Sequence, residues 1–195
     1  MSRTADRPAQ ETLLSRALWQ VLAEQGLDRL TIRAVAAAAG CTTGLVMHRF
    51  PNRRALLLHA RHLLHERTKQ RMEAREAAAA DPRAALRAVL AQSLAVDSDS
   101  RTHAVVWLGF LAAAVSDDEL AAAHRVHNRA WRDRLIRLVS AVAPDWSTTR
   151  VTTAVTALAA MVEGTAVLAA ADPAGYPPAA QRAALDATLT AHGLA

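Results

Sequence analysis

Apolar residues recur every three or four positions along most of the chain, and each run is cut short by a glycine, a proline or a capping side chain. That spacing is the signature of amphipathic α-helices. Leu14, Leu18, Val21 and Leu22 share one face, with Ala17 filling the stripe and Trp19 flanking it, which predicts a helix over 8–25 stopped by Gly26. Thr31 caps a short second helix whose Ile32, Val35 and Ala36 face inward before Gly40 ends it, and Cys41 falls in the turn. A third helix starts at Thr42 or Thr43 and runs to Phe50, where Pro51 closes it. Asn52 caps a long fourth helix with Leu56, Leu57, Leu63 and Leu64 inside, fraying near 77–80; its exposed faces are expected to carry Arg53, Arg54, Arg61, Arg67, Lys69 and Arg71.

Asp81-Pro82 then opens a helix over 82–96, and Asp97 to Ser100 interrupt the pattern. A strongly apolar helix follows over 101–115, and Ser116 with Glu119 forms a capping box for a helix over 117–142, ended by Pro144. Ser147 begins a helix over 148–171, and Asp172-Pro173 and Pro177-Pro178 precede the last, over 178–191. The fold class is all-α with about nine helices and no internal repeat. Disorder is expected only at the ends. The domain expectation is an N-terminal three-helix unit over 1–51, a connector helix over 52–80 and a larger helical domain over 81–195.

Charge divides the chain. Through Arg75 there are 13 Lys and Arg against 6 Asp and Glu, a net +7, whereas the remainder has 10 against 12, a net −2. Such asymmetry suits one module that meets a polyanion. Lys69 is the only lysine, and arginine favours bidentate phosphate contacts, although an Arg- and Ala-heavy chain arises equally from genomic base composition. The single cysteine, Cys41, excludes an internal disulfide and shows no sign of a redox role. The first 25 residues read as a polar arm running into an amphipathic helix, without a signal-peptide core, so a cytoplasmic protein is expected. The most apolar stretch, Val151 to Ala171, is interrupted by Thr152, Thr153, Thr156 and Glu163 and reads as a buried helix of a chain that meets no membrane.

The segment Thr31 to Leu57, TIRAVAAAAGCTTGLVMHRFPNRRALL, narrows the function. A helix that reads a DNA groove needs small or polar residues at its start, apolar residues behind to fix its angle and cations on its flanks to hold phosphates. Thr42, Thr43 and Gly44 are the small polar start, Leu45, Val46 and Phe50 supply packing, and His48, Arg49, Arg53 and Arg33 are the flanking donors. In the order Leu30-Thr31, Val35-Ala36-x-x-Ala39-Gly40, Thr42-Thr43-Gly44, Phe50 and Asn52-Arg53-x-Ala55-Leu56-Leu57, residues 8–60 resemble the TetR family of regulators. The resemblance implies that the third helix enters the major groove. It also implies that Arg53 takes the phosphate-binding role of a lysine usual at the start of helix 4, and that Arg33 reaches phosphate from helix 2. Thr31, Thr42, Thr43, Gly44, Met47, His48, Arg49 and Asn52 complete the expected DNA-binding set. Met47 stands where tyrosine is common and Arg49 where His or Tyr is common, which leaves those two contacts open.

Trp107-x-x-Phe110, the segment Asp117 to Leu120, His127-x-x-x-Trp131, Glu163-Gly164 and Asp172-Pro173 resemble the BetI-type subgroup, whose effector domains sense small molecules. The resemblance implies a homodimer through 148–171 and 178–191, a near-palindromic operator and release by a small-molecule effector. Trp107, Phe110, Leu111, Trp131 and Met161 are expected to line the ligand cavity, with His127, Asn128 and Glu163 as polar discriminators. Glu163, within an apolar helix, calls for a partner, either an arginine or a cationic effector. His59, His62 and His65 recur every third residue but read as a solvated basic face, so no metal or cofactor is expected. The rival expectation is a helical ligand-binding or metal-binding protein with no DNA-regulatory role. Against catalysis, the chain lacks HExxH, GxSxG and P-loop motifs.

Overall fold

The computed structural model describes residues 6–195, with side chains from Ala9 onward. The expected polar arm lies partly outside these residues. Nine helices are found among them: α1 (Asp6–Gln25), α2 (Ile32–Ala39), α3 (Thr43–Arg49), α4 (Arg53–Ala77), α5 (Pro82–Ala91), α6 (Ser98–Ser116), α7 (Asp118–Val142), α8 (Thr148–Ala171) and α9 (Pro178–Ala191). Residue contacts gather into two compact units, one of Met1–Glu66 with Val106–His124 and one of Arg67–Val105 with Arg125–Ala195.

The first unit is organised by local signals. Thr31 and Thr42 cap α2 and α3 by accepting hydrogen bonds from the Ala34 and Leu45 amides at 3.1 and 3.3 Å, and Asn52 caps α4 through the Ala55 amide at 2.9 Å. Each such cap contributes about 1 kcal/mol. Gly40 ends α2 in the left-handed region, φ 63°, so that its amide and that of Cys41 reach back to the last turn of the helix. Leu14, Leu18, Leu22, Val35, Val46, Phe50, Leu56 and Leu64 form one core, joined by Val106, Phe110 and Leu120. The fit is close where α6 meets the α1–α2 turn: a Cβ placed on Gly109 would lie 3.3 Å from that of Leu27. Ser15 and the His59 ring hydrogen-bond at 3.1 Å, and burial together with the Arg49 charge lowers the His59 pKa.

The second unit packs α5, α8 and α9 with Met72, Leu135, Leu138 and Val139 around a separate core that includes Leu86, Leu90, Val155, Leu158, Leu185 and Leu189. Its polar links are between helices. Arg87 grips Asp186 with two bonds of 2.7 and 2.9 Å, and Glu76 receives Arg137 at 2.6 and 2.9 Å and Arg134 at 2.9 Å. The Arg137 bonds hold the Glu76 carboxyl below its usual pKa. His103 is different: burial, reinforced by the Arg71 charge, brings its pKa to about 4, so the ring is neutral near neutral pH. Among the described residues α8 alone is long and apolar enough to cross a bilayer by length and composition. Seven of its residues are buried in this unit.

Several boundaries differ from expectation for identifiable reasons. Helix α1 begins at Asp6, two residues earlier than the expected 8. Helix α5 stops at Ala91 rather than 96, because the buried Ala95 amide and carbonyl are claimed by the Gln181 side chain, at 2.9 and 3.0 Å, instead of by a helical turn. Asp97 does not merely interrupt the pattern. It receives the Ser100 amide at 2.7 Å and so opens α6 at Ser98, three residues ahead of the expected 101. The Ser116 capping box does not form; Ser116 is the last residue of α6, and Asp117 caps α7 by accepting from the amides of Glu119 and Leu120 at 3.0 Å each. Arg61 is not on an exposed face. It is 3% exposed, with its guanidinium 4.9 Å from the centroid of the Trp107 ring, because it falls on the same stripe as Leu57 and Leu64. Nor is the C-terminus loose: Gly193, φ 71°, turns the chain so that Leu194, 1% exposed, enters the second core.

Candidate nucleic-acid interface

The sequence makes α3 short, seven residues, with Val46 as its one fully buried member. Val46, aided by half-buried Leu45, anchors one side of the helix to the first core, and Phe50 closes its end. The remaining faces are left to solvent. Thr42, Thr43, Gly44, Met47, His48 and Arg49 are all exposed, and Met47, at 53%, is one of the chain's exposed large apolar side chains. Met47 therefore does not serve packing. Nothing in the backbone demands glycine at 44 either: a Cβ there would meet only the Thr42 hydroxyl, at 3.8 Å.

The polar residues around α3 differ in how far they are committed elsewhere. The Thr31 and Thr42 hydroxyl oxygens accept cap bonds from backbone amides, which leaves each O–H free to donate outward. Asn52 spends its side-chain oxygen on the Ala55 amide and keeps its NH₂ donors. Arg33, exposed on α2, and His48 make no hydrogen bond or ion pair among the described residues.

Arg49 and Arg53 depart from the simple picture of flanking cations. Arg49 pairs with Glu11 of α1 at 2.7 Å, both side chains being nearly half exposed. An ion pair in that setting is worth at most about 1 kcal/mol, so a phosphate can displace the carboxylate. Arg53 donates from Nε to the Leu30 carbonyl at 3.2 Å and from Nη2 to the Leu27 carbonyl at 3.0 Å. It ties the start of α4 to the α1–α2 connection with two of its five N–H groups, leaving three to point elsewhere. Arg54, read only as a surface cation, binds Asp117 at 3.0 Å and Glu119 at 3.2 Å. No sequence signal announced these contacts, which join positions 23 to 65 residues apart.

The residues expected to line a ligand cavity divide between the units. Trp107, Phe110 and Leu111 are in the first, where Phe110 is 2% exposed and belongs to the core and Trp107 lies against Arg61 and, at 5.4 Å, the His124 ring. His127, Asn128, Trp131, Met161 and Glu163 are in the second and are all half-buried. Of the three histidines spaced along α4, His59 bonds to Ser15 and lies against Phe50, and His65 lies 4.0 Å from Glu66. Among the described residues no three His, Cys, Asp or Glu side chains gather as a metal site would require.

Comparison with known proteins agrees with this arrangement. Residues 14–60 match the family described as bacterial regulatory proteins, tetR family, and residues 82–193 match the BetI-type transcriptional repressor C-terminal domain. The HTH-type transcriptional regulator BetI of Stenotrophomonas maltophilia is 30% identical over 165 residues, 84% of this chain and 83% of its own length. BetI of Paraburkholderia xenovorans is 31% identical over 142 residues, 72% and 71% of the two chains. A transcriptional regulator from Rhodococcus sp. Rha1 superposes with a TM-score of 0.82 at 30% identity, covering 92% of this chain and 94% of its own. One from Saccharomonospora viridis, solved in complex with choline, gives 0.84 at 17% identity over 94% and 96%. With a capped α2–turn–α3 unit at its N-terminal end and a BetI-type helical region behind it, the chain belongs to the TetR family of bacterial transcriptional regulators.

Proposed function

We propose that this protein is a repressor that acts in the cytoplasm, binds a near-palindromic operator as a homodimer and is released by a small-molecule effector. The observation that carries the reading is the exposed face of α3, where Thr42, Thr43, Gly44, Met47 and His48 stand clear on a helix whose back is pinned by Val46. Residues 1–51 hold the DNA. Thr43 and the open backbone at Gly44 approach base edges, while Arg33, Arg49, His48 and the outward donors of Thr31, Thr42, Asn52 and Arg53 take phosphates. The helix over 52–80 connects this region to 81–195, which senses the effector through residues that include His127, Asn128, Trp131, Met161 and Glu163.

Dimerisation is assigned to α8 and α9. Thr149, Thr153, Thr156, Ala160, Gly164, Leu168 and Ala171 are exposed at helical spacing along α8, and Ala180, Ala183, Ala184, Ala187 and Ala191 along α9. Small side chains of this kind let two copies of a helix pair approach closely, and a twofold axis through them places two recognition helices on one face of a duplex. The effector acts by favouring a state in which the two α3 helices no longer match the operator's spacing.

Because arginines and hydroxyls on phosphates supply most of the affinity, operator binding falls steeply with salt. A dimer that neutralises about six phosphates loses on the order of 10³ in affinity between about 50 and 200 mM salt. Fluorescence anisotropy with the chain's own upstream DNA checks this. Affinity that does not change with salt, or no preference for that DNA over random sequence, would remove the reading.

A further inference from the structure

We infer that Arg54 is a positioning residue for operator binding: it clamps the first turn of α4 to the α6–α7 turn through Asp117 and Glu119, and so sets where α3 stands without itself touching DNA. The inference rests on the DNA-binding reading above and deepens it. Only residues 50–52 separate α3 from α4, and α3 has Val46 as its one buried side chain, so the placement of α3 follows that of the α4 start. Two adjacent arginines hold that start. Arg53 donates to the Leu30 and Leu27 carbonyls, and Arg54 donates from Nη2 to Asp117 at 3.0 Å and from Nη1 to Glu119 at 3.2 Å. The stretch 29–65 contains no Asp or Glu, so the carboxylates that receive Arg54 have to be brought in from outside it.

The receiving side is fixed. Asp117 caps α7 by accepting from the Glu119 and Leu120 amides at 3.0 Å each, and the Leu120 bond, with the Arg54 charge behind it, holds its carboxyl below the usual pKa, ionised at neutral pH. Val106, Phe110 and Leu120 lie in the first core, and Gly109 comes close to Leu27. The turn thus belongs to the same compact unit as α1–α3, although it falls within the stretch 82–193 that matches the BetI-type C-terminal domain. With the Arg54 side chain 55% exposed, each ion pair shifts an equilibrium by at most about fivefold. That is too little to hold a fold together and enough to choose between placements of one helical turn. Apparent affinity scales with the fraction of protein in the competent placement, and a dimer uses the clamp twice, so its loss weakens operator binding by up to about 25-fold.

The test turns on a sign. Removing carboxylates from a DNA-binding protein raises its affinity by electrostatics alone, whereas the clamp predicts a loss. The double variant Asp117→Asn/Glu119→Gln breaks both pairs and keeps the α7 cap, since asparagine caps as well as aspartate. In the full-length protein it lowers affinity for the chain's own upstream DNA about tenfold, measured by fluorescence anisotropy, and Glu119→Gln alone lowers it about threefold. Asp118→Asn removes a charge from the same exposed turn without touching the clamp, and leaves affinity equal or higher. Arg54→Gln also weakens binding about tenfold, with the salt dependence of the wild type. Unchanged or tighter binding in the double variant overturns the inference. So does a salt slope that falls by about 0.9 per subunit in Arg54→Gln, which would make Arg54 a phosphate contact. If the double variant does not fold, Glu119→Gln and the Arg54→Gln slope decide. A wild type with no preference for its upstream DNA removes the DNA-binding reading and the clamp with it; a wild type that binds, beside variants that bind as well, removes the clamp alone.

Discussion

Replacing Met47 with glutamate lowers operator affinity about 100-fold while leaving the thermal unfolding of the protein where it was. The two halves of this expectation have separate origins. Met47 is 53% exposed on α3 and belongs to neither core, so a polar replacement strands nothing and opens no cavity. On the operator the same side chain faces a surface with one negative charge per about 1.7 Å of duplex axis. Two carboxylates per dimer, each within several ångströms of phosphate, cost about 1 kcal/mol apiece in water and several times that where solvent is excluded, which spans 30-fold to well beyond 100-fold in binding. Met47→Leu, which adds no charge, keeps affinity within about tenfold. Gel-shift titration beside a melting curve separates the outcomes: loss of binding with an unchanged melting temperature supports a DNA-facing α3, and unchanged binding in Met47→Glu contradicts it.

The largest stability loss is expected at Gln181. This side chain is 2% exposed, accepts from the Ala95 amide at 2.9 Å and donates to the Ala95 and Tyr176 carbonyls at 3.0 and 2.8 Å. It satisfies the backbone where α5 has ended and α6 has not begun, and it ties that break to α9. Gln181→Leu preserves volume but leaves a buried amide and two carbonyls without partners. At about 1–3 kcal/mol for each group stranded, the second unit loses on the order of 4 kcal/mol, and the melting temperature falls by about 10 °C. Because α9 is half of the proposed dimer surface, the variant also dissociates at lower dilution. Circular dichroism melts with sedimentation at several concentrations check both effects; a variant as stable as the wild type would mean that those backbone groups find water instead.

The parts of the molecule that were legible in the sequence are those governed by neighbours along the chain. Thr31, Thr42 and Asn52 cap their helices through amides three residues away, and Gly40 turns where its freedom at positive φ is needed, so the α2–turn–α3 unit can be read directly. Periodicity likewise placed Val46 and Phe50 inside. What escaped is set by partners distant in sequence. Gln181 reaches 86 residues back to end α5 early, Arg53 turns to carbonyls of the α1–α2 connection, and Glu11 holds Arg49 from 38 residues away. Arg61 was misread because charge was allowed to outweigh position: it lies one turn from both Leu57 and Leu64, on the buried stripe, and an arginine can be accommodated there when an aromatic face such as that of Trp107 receives it.

Two arginines are committed within the protein in ways that residue type alone does not reveal. Arg53 braces the start of α4 against the α1–α2 connection, and in the proposed DNA complex Arg49 exchanges the Glu11 carboxylate for a phosphate. Both arrangements hold the cations in place in the absence of DNA, which limits the side-chain ordering left to be done on binding.

The central claim, that α3 lies in the major groove of the operator in two symmetric copies, is tested most directly by dimethyl sulfate protection of the bound upstream fragment, since the reagent methylates guanine N7 in the major groove and adenine N3 in the minor. The account predicts two clusters of protected guanines, related by the operator's symmetry and separated by about 34 Å, one helical turn, or a multiple of it. Full reactivity of those guanines in the complex, or protection confined to adenine N3, would contradict it.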